Sequence, residues 1–158
     1  DFGTSSYAEA SKDNYHDISR VNVNFNTYEP ETKFDCVWAS HVLEHQPDAG
    51  VFIKKCMDLT KDDGIICITV PPLQDLIVGG HLTLWNAGLL LYQMVFNGLD
   101  CSDASICTHG YNISVIVKKR LRKDINLDYD NGDIKALKAF FPAFVEEPFD
   151  GKIESWNW

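Results

Sequence analysis

The sequence predicts a three-layer α/β domain with a mostly parallel sheet and an antiparallel hairpin toward its C-terminal end. Three observations carry that expectation. Residues 34–39 (Phe-Asp-Cys-Val-Trp-Ala) and 65–70 (Ile-Ile-Cys-Ile-Thr-Val) are short apolar runs rich in β-formers, the pattern of strands covered on both faces. Between them, residues 48–59 set Phe52, Ile53, Cys56 and Met57 on one apolar helical stripe, as a helix crossing between parallel strands requires. Residues 103–108 and 112–117 are two further strand patterns joined by the short connection 109–111, a hairpin.

Taken in order, the chain opens with a single glycine, Gly3, in the one place where a glycine turn for a cofactor fits, and Asp17 is the acidic residue that follows it. In nucleotide-binding βαβ units such a residue contacts the ribose, about 20 positions on. Residues 21–25 (Val-Asn-Val-Asn-Phe) alternate with period two and predict a strand, followed by a polar loop containing Pro30. After the helix at 48–59, Asp62-Asp63-Gly64 is the expected stop, with Gly64 in the left-handed conformation. Pro71-Pro72 ends the second strand. Residues 73–80 form a loop whose Gly79-Gly80 hinge presents His81. Asn86 is placed to cap a helix carrying Leu89, Leu90, Gln93, Met94 and Phe96, and Gly98 to stop it. Residues 128–133 resemble a calcium loop, but the twelfth position, where a bidentate glutamate is required, is Ala139. Ile134, Leu137, Phe140 and Phe141 predict one more helix, ended by Pro142. Phe144, Phe149, Trp156 and Trp158 give the tail enough aromatic surface to pack on the body or to drive self-association.

Composition narrows the function. With 158 residues, 45% of them hydrophobic, the chain can bury a real core as one domain, and a net charge of -9 argues against nucleic acid as partner. Lys118, Lys119, Arg120, Arg122 and Lys123 cluster without interleaved aromatics, which is the pattern of a solvated strand exit. The five cysteines contain no CxxC pair, and Cys101, Cys107 and His109 do not match a zinc spacing. They are expected to be reduced, buried thiols of a cytoplasmic protein, and no metal is expected. The most apolar window, residues 82–96, includes Asn86 and Gln93 and falls short of the ~20 residues of a membrane span, so no membrane partner is expected.

Where the first strand ends stands the polar cluster Ser40-His41-Val42-Leu43-Glu44-His45. Its last five residues satisfy H-x-x-E-H, a zinc-hydrolase pattern. That chemistry needs a long helix, whereas a strand precedes the motif and Gln46-Pro47 breaks the chain after it. Residues 34–45, a helix, the Lys61-Asp62-Asp63-Gly64 turn and residues 65–72 together resemble the fourth and fifth strands of the class I S-adenosylmethionine-dependent methyltransferases, which have a Rossmann-like sheet. The hairpin at 103–117 is similar to that family's last two strands, so the resemblance covers residues 21–118.

The resemblance implies S-adenosylmethionine as cofactor and methyl transfer to a small molecule or a glycan precursor. By position it places Asn24 and Phe25 at the adenine, with an amide where the family has an acid, and Ser40 and His41 at the methionine moiety. His81 is the first candidate for a base or acceptor contact and His41 the second. Glu44 and His45 are expected to orient the loop. Gly3 stands where the family's first strand ends in a glycine-rich turn, so residues 1–20 read as an incomplete cofactor-binding start and 124–158 as a C-terminal extension of a single domain. The alternatives are an N-terminally truncated enzyme and a non-catalytic, methyltransferase-like binding module.

Overall fold

The computed structural model describes residues 19–158. The chain divides into two units, Asp1–Glu31 and Thr32–Trp158. In the first unit the alternation at residues 21–25 does not become the expected strand. Val21 and Val23 are exposed, and a 3-10 turn, Phe25–Thr27, follows them. Asn24 explains the difference. Its side chain accepts the Asn26 amide at 3.0 Å, a local bond that offers the backbone an alternative to a sheet ladder.

The second unit is built on a five-stranded sheet with strands β1 (Phe34–Ser40), β2 (Thr60–Val70), β3 (Ser105–His109), β4 (Asn112–Lys118) and β5 (Ser155–Trp156), in the order β1-β2-β4-β3-β5. β1 and β2 are parallel, in register from Cys36 opposite Ile65 to Ser40 opposite Thr69. β4 runs antiparallel to both β2 and β3. Helix α1 (Ala49–Leu59) connects the parallel pair, and α2 (Ala87–Phe96) precedes the hairpin.

Asp48 caps α1 by accepting the Val51 amide at 2.9 Å, and the predicted stripe of Phe52, Ile53, Cys56 and Met57 is buried. The helix does not stop at the Asp-Asp-Gly turn. It passes directly into β2 at Thr60, whose hydroxyl donates to the Cys56 carbonyl at 2.7 Å. Asp63 (φ 61°), not Gly64, takes the left-handed conformation. Gly64 is needed for space, since a Cβ there would lie 2.9 Å from the Asp35 carbonyl oxygen.

α1 packs on β1 and β2, α2 on β3 and β4, and the two helices touch, so both lie on one face of the sheet. Paired across the strands on that face are Val37 with Ile66, Ile66 with Val117, Ala39 with Ile68, Ile68 with Val115, and Val115 with Ile106, all buried. The opposite face is open at β1, where Trp38 is 70% exposed and Cys36 is also exposed. The described residues therefore supply two of the three expected layers, and the expectation that residues 34–39 are covered on both faces is corrected.

The remaining elements show where local pattern and tertiary context differ. Asn86 caps α2, accepting the Leu89 amide at 2.7 Å, and Gly98 (φ 117°) follows its end. His109 pairs with Asn112, so the hairpin turn is Gly110-Tyr111, one residue shorter than predicted. The basic cluster is a solvated exit only in part, with Lys118 and Lys123 exposed. Lys119 is buried, with Nζ donating to the Thr60 carbonyl at 2.8 Å, and Arg122 donates to the Val95 and Phe96 carbonyls that end α2. The helix predicted at 134–141 is split into α3 (Asp133–Ala136) and a 3-10 turn, Lys138–Phe140. Asp133 is buried and accepts the Asp128 and Tyr129 amides, so the acidic loop closes on itself. The tail packs on the body: β5 pairs with β3, and Phe144 lies 4.7 Å from Trp156 between ring centroids. Of the five free cysteines, Cys36 is exposed, against expectation, because β1 carries it on the open face. Among the described residues no helix is long and apolar enough to cross a membrane.

Candidate functional site

At the carboxyl end of β1 the chain is reversed by His41, which adopts φ 54° while its amide still donates to the Thr69 carbonyl at 2.9 Å. The next residues form a 3-10 turn, Leu43–His45, so the H-x-x-E-H string lies on a short turn after a strand and not within a long helix. Leu43 is fully buried in the core and drags Glu44 in beside it, at 0% exposure.

The other wall of the site is the loop at residues 71–85. Its neck is closed by a bridge between Pro72 and Trp85, with the Leu73 amide donating to the Trp85 carbonyl at 2.6 Å. Trp85 is buried and its Nε1 donates to the Thr83 hydroxyl, so it anchors the loop. The Glu44 carbonyl accepts both the Leu82 and Thr83 amides, at 2.7 and 3.2 Å. Gly80 (φ 84°) turns the chain so that its carbonyl meets Nδ1 of His45 at 2.7 Å. These bonds bring the His81 ring edge-on to His45, 4.9 Å between centroids. His81 also lines a shallow cleft with Pro71, Pro72, Leu84 and Tyr111.

The centre of the group is the Glu44 carboxylate. Its Oε1 lies 3.3 Å from Nδ1 of His41 and 3.7 Å from Nε2 of His45, yet neither carboxylate oxygen accepts a hydrogen bond. His41 is held from the other side, with Nε2 2.8 Å from Oδ1 of Asn112 and its ring stacked on Tyr111 at 6.1 Å. The candidate ligand atoms of Glu44, His45 and His81 all lie within 4.8 Å of one another.

The structure thus brings His41 and His81 to one polar group, with Ser40 exposed at the strand end beside it. Asn24 and Phe25 belong to the other unit, and Gly3 and Asp17 lie outside the described residues. Sequence reasoning missed Asn112 and Tyr111, which reach the site only through the hairpin. The H-x-x-E-H spacing was the one available signal that Glu44 stands between two imidazoles.

Comparison with known proteins identifies the family. Residues 4–104 match the family model described as a methyltransferase domain. The chain is 39% identical over 66 residues to the alpha N-terminal protein methyltransferase 1 of Dictyostelium discoideum, which is 38% of this chain and 24% of that protein. It is 37% identical over 51 residues to the ubiquinone biosynthesis O-methyltransferase of Rhodopseudomonas palustris (strain TIE-1), covering 32% and 20%. To the protein of the same name from Bradyrhizobium diazoefficiens it is 39% identical over 41 residues, covering 26% and 16%. The matched stretches span a quarter or less of these curated relatives' own lengths. The match includes both parallel strands, the helix between them and the loop that carries His81; by that match the chain belongs to the methyltransferase domain family.

Proposed function

We propose that this chain carries out S-adenosylmethionine-dependent methyl transfer to an oxygen of a small molecule or glycan precursor. The observation that carries the reading is the meeting of the Ser40–His45 turn and the His81 loop beyond the carboxyl ends of two parallel strands, joined through the Glu44 carbonyl. Ligands of open α/β sheets bind at such ends. The likeness to two ubiquinone biosynthesis O-methyltransferases favours an oxygen acceptor. The net charge of -9 favours a small molecule over nucleic acid. Five unpaired cysteines fit a reducing, cytoplasmic compartment.

The donor set at the end of β1 fits the amino-acid end of the cofactor. Ser40 offers an exposed hydroxyl, and the chain turns at His41 through a left-handed conformation directly after it. When bound, the cofactor supplies a methyl group activated on a sulfonium. The chain's own part is to hold the acceptor in line at about 3 Å and to draw off its proton. The polar group around His81, which lines the cleft, is the set of residues proposed for that part.

Isothermal titration with S-adenosylhomocysteine, followed by methyl transfer from labelled cofactor to a phenolic acceptor and to a peptide with a free α-amine, tests the reading. Saturable binding with transfer to the phenol is expected. Transfer to the amine alone would overturn the acceptor class. Absence of binding would favour the non-catalytic module.

A further inference from the structure

Three side chains that the family match does not assign converge where the acceptor is expected. We propose that Glu44, His45 and His81 form a binding site for one divalent transition-metal ion of the zinc class. The geometry around Glu44 points to it. A backbone carbonyl can only accept, so Nδ1 of His45, 2.7 Å from the Gly80 oxygen, is the nitrogen that carries the proton. That leaves Nε2 of His45 facing Glu44 Oε1 at 3.7 Å. His41 is arranged in the same way. Its Nε2 pairs with Oδ1 of Asn112 at 2.8 Å, and its Nδ1 faces Oε1 at 3.3 Å.

The Glu44 carboxylate and two imidazole nitrogens thus meet at 3.3 and 3.7 Å. Glu44 is fully buried, and neither of its oxygens accepts a hydrogen bond. A buried ionised carboxylate is costly unless a cation or hydrogen-bond donors satisfy it. A metal ion placed among these atoms would supply that cation. With the His81 ring nitrogen, the candidate ligand atoms fall within 4.8 Å of one another, so one ion reaches all three after small side-chain movements. One carboxylate and two imidazoles are a ligand set that borderline transition ions favour over magnesium or calcium. The His45–Gly80 bond is the outer-sphere contact that metal-bound histidines use to fix their tautomer. Three protein ligands leave positions open toward the cleft, where His81 is half-buried and His45 exposed.

On the methyl-transfer reading, which this role rests on, the ion would grip an acceptor oxygen, and His81 would act as its ligand and not as a free base. Metal binding itself is tested without cofactor or acceptor, so its failure is separate from failure of the transferase reading.

The test is titration of the full chain with Co²⁺, read by visible absorption, with Zn²⁺ and Mg²⁺ as competitors. One Co²⁺ per chain is expected, displaced by Zn²⁺ and not by an equal concentration of Mg²⁺. Single changes His45→Ala and His81→Ala, at side chains open to solvent, should weaken binding by more than the ~10–100-fold that loss of an outer-sphere partner costs. Glu44→Gln, which keeps the buried shape, should do the same, and His109→Ala should bind as the unaltered chain does. No Co²⁺ band, equal displacement by Mg²⁺, or unchanged binding in the His45 and His81 variants with folding intact by circular dichroism would overturn the proposal. Glu44 would then be neighboured by the imidazoles alone.

Discussion

The main-chain oxygen of Glu44 accepts the amide of Leu82 at 2.7 Å, so the buried turn after β1 and the loop carrying His81 are one hydrogen-bonded unit. His81 is therefore held against the site, and the pair Gly79-Gly80 serves to aim its ring rather than to let it swing.

Replacing His81 by Ala is expected to lower methyl transfer by ~10²-fold or more, whether its ring takes the acceptor proton or holds the proposed ion at the acceptor. Affinity for S-adenosylhomocysteine should stay unchanged, because the proposed cofactor position is on the Ser40 side. His109→Ala, at the exposed end of β3, is the control. Equal losses at both positions would mark a loss of folding. His41→Ala, next to Ser40, should weaken cofactor binding as well as transfer, and titration calorimetry distinguishes the two.

Gly88→Ala reverses the usual sign of a helix glycine change. Alanine ordinarily stabilises a helix interior by about 0.5–1 kcal/mol. At Gly88, however, a Cβ would collide with the Gly151 backbone and lie 2.6 Å from the Phe149 ring. The Gly88 amide also donates to the Gly151 carbonyl at 2.9 Å. The collision should lift the tail from α2 and destabilise the fold by about 1–3 kcal/mol, as overpacking does. Urea unfolding followed by tryptophan emission measures it, and a stabilised variant would contradict the close approach.

Acid sensitivity should run through Asp62. The hydrogen bond and charge of Lys119 hold its carboxyl below the usual 3.8. A carboxyl with a depressed folded-state pKa supports folding in full above its unfolded value. That support is lost as pH falls below about 4 and through the folded value. Asp62→Asn should thus be less stable than the unaltered chain at neutral pH, with the gap closing on acidification. Asp62 is solvent-exposed, so the gap should also shrink in high salt. Urea midpoints across pH and salt check both, and a gap that widens in acid would refute the pairing.

Thiol labelling should sort the cysteines by layer. Burial pushes the Cys56 thiol up to about 12 and raises that of Cys101 as well, and both are enclosed in the core. Cys36 stands on the open face of β1. Iodoacetamide followed by mass spectrometry should modify Cys36 in the folded protein, and Cys56 and Cys101 only on unfolding. Early modification of Cys56 would mean that α1 opens locally.

By itself the sequence determined the elements whose cause is local: β1, α1 and β2 in succession, the Asn86 cap, the stop at Gly98 and the two hairpin strands. Capping, periodicity and turn chemistry act within a few residues, so these signals survive in a one-dimensional reading. The H-x-x-E-H spacing was equally visible, but its meaning depended on whether a helix or a turn carried it. Tertiary structure alone decided that Trp38 and Cys36 stay open on β1, because an apolar run shows that a strand can be buried and not which layer covers it. It also decided that Lys119 and Arg122 are consumed by the Thr60, Val95 and Phe96 carbonyls, since long side chains find orphan acceptors on whichever element returns beside them. The encounter of Glu44 and His45 with His81 has the same origin. The loop at 71–85 folds back because the Glu44 carbonyl and the Pro72–Trp85 bridge hold it there, and no spacing in the chain records a contact made by that return.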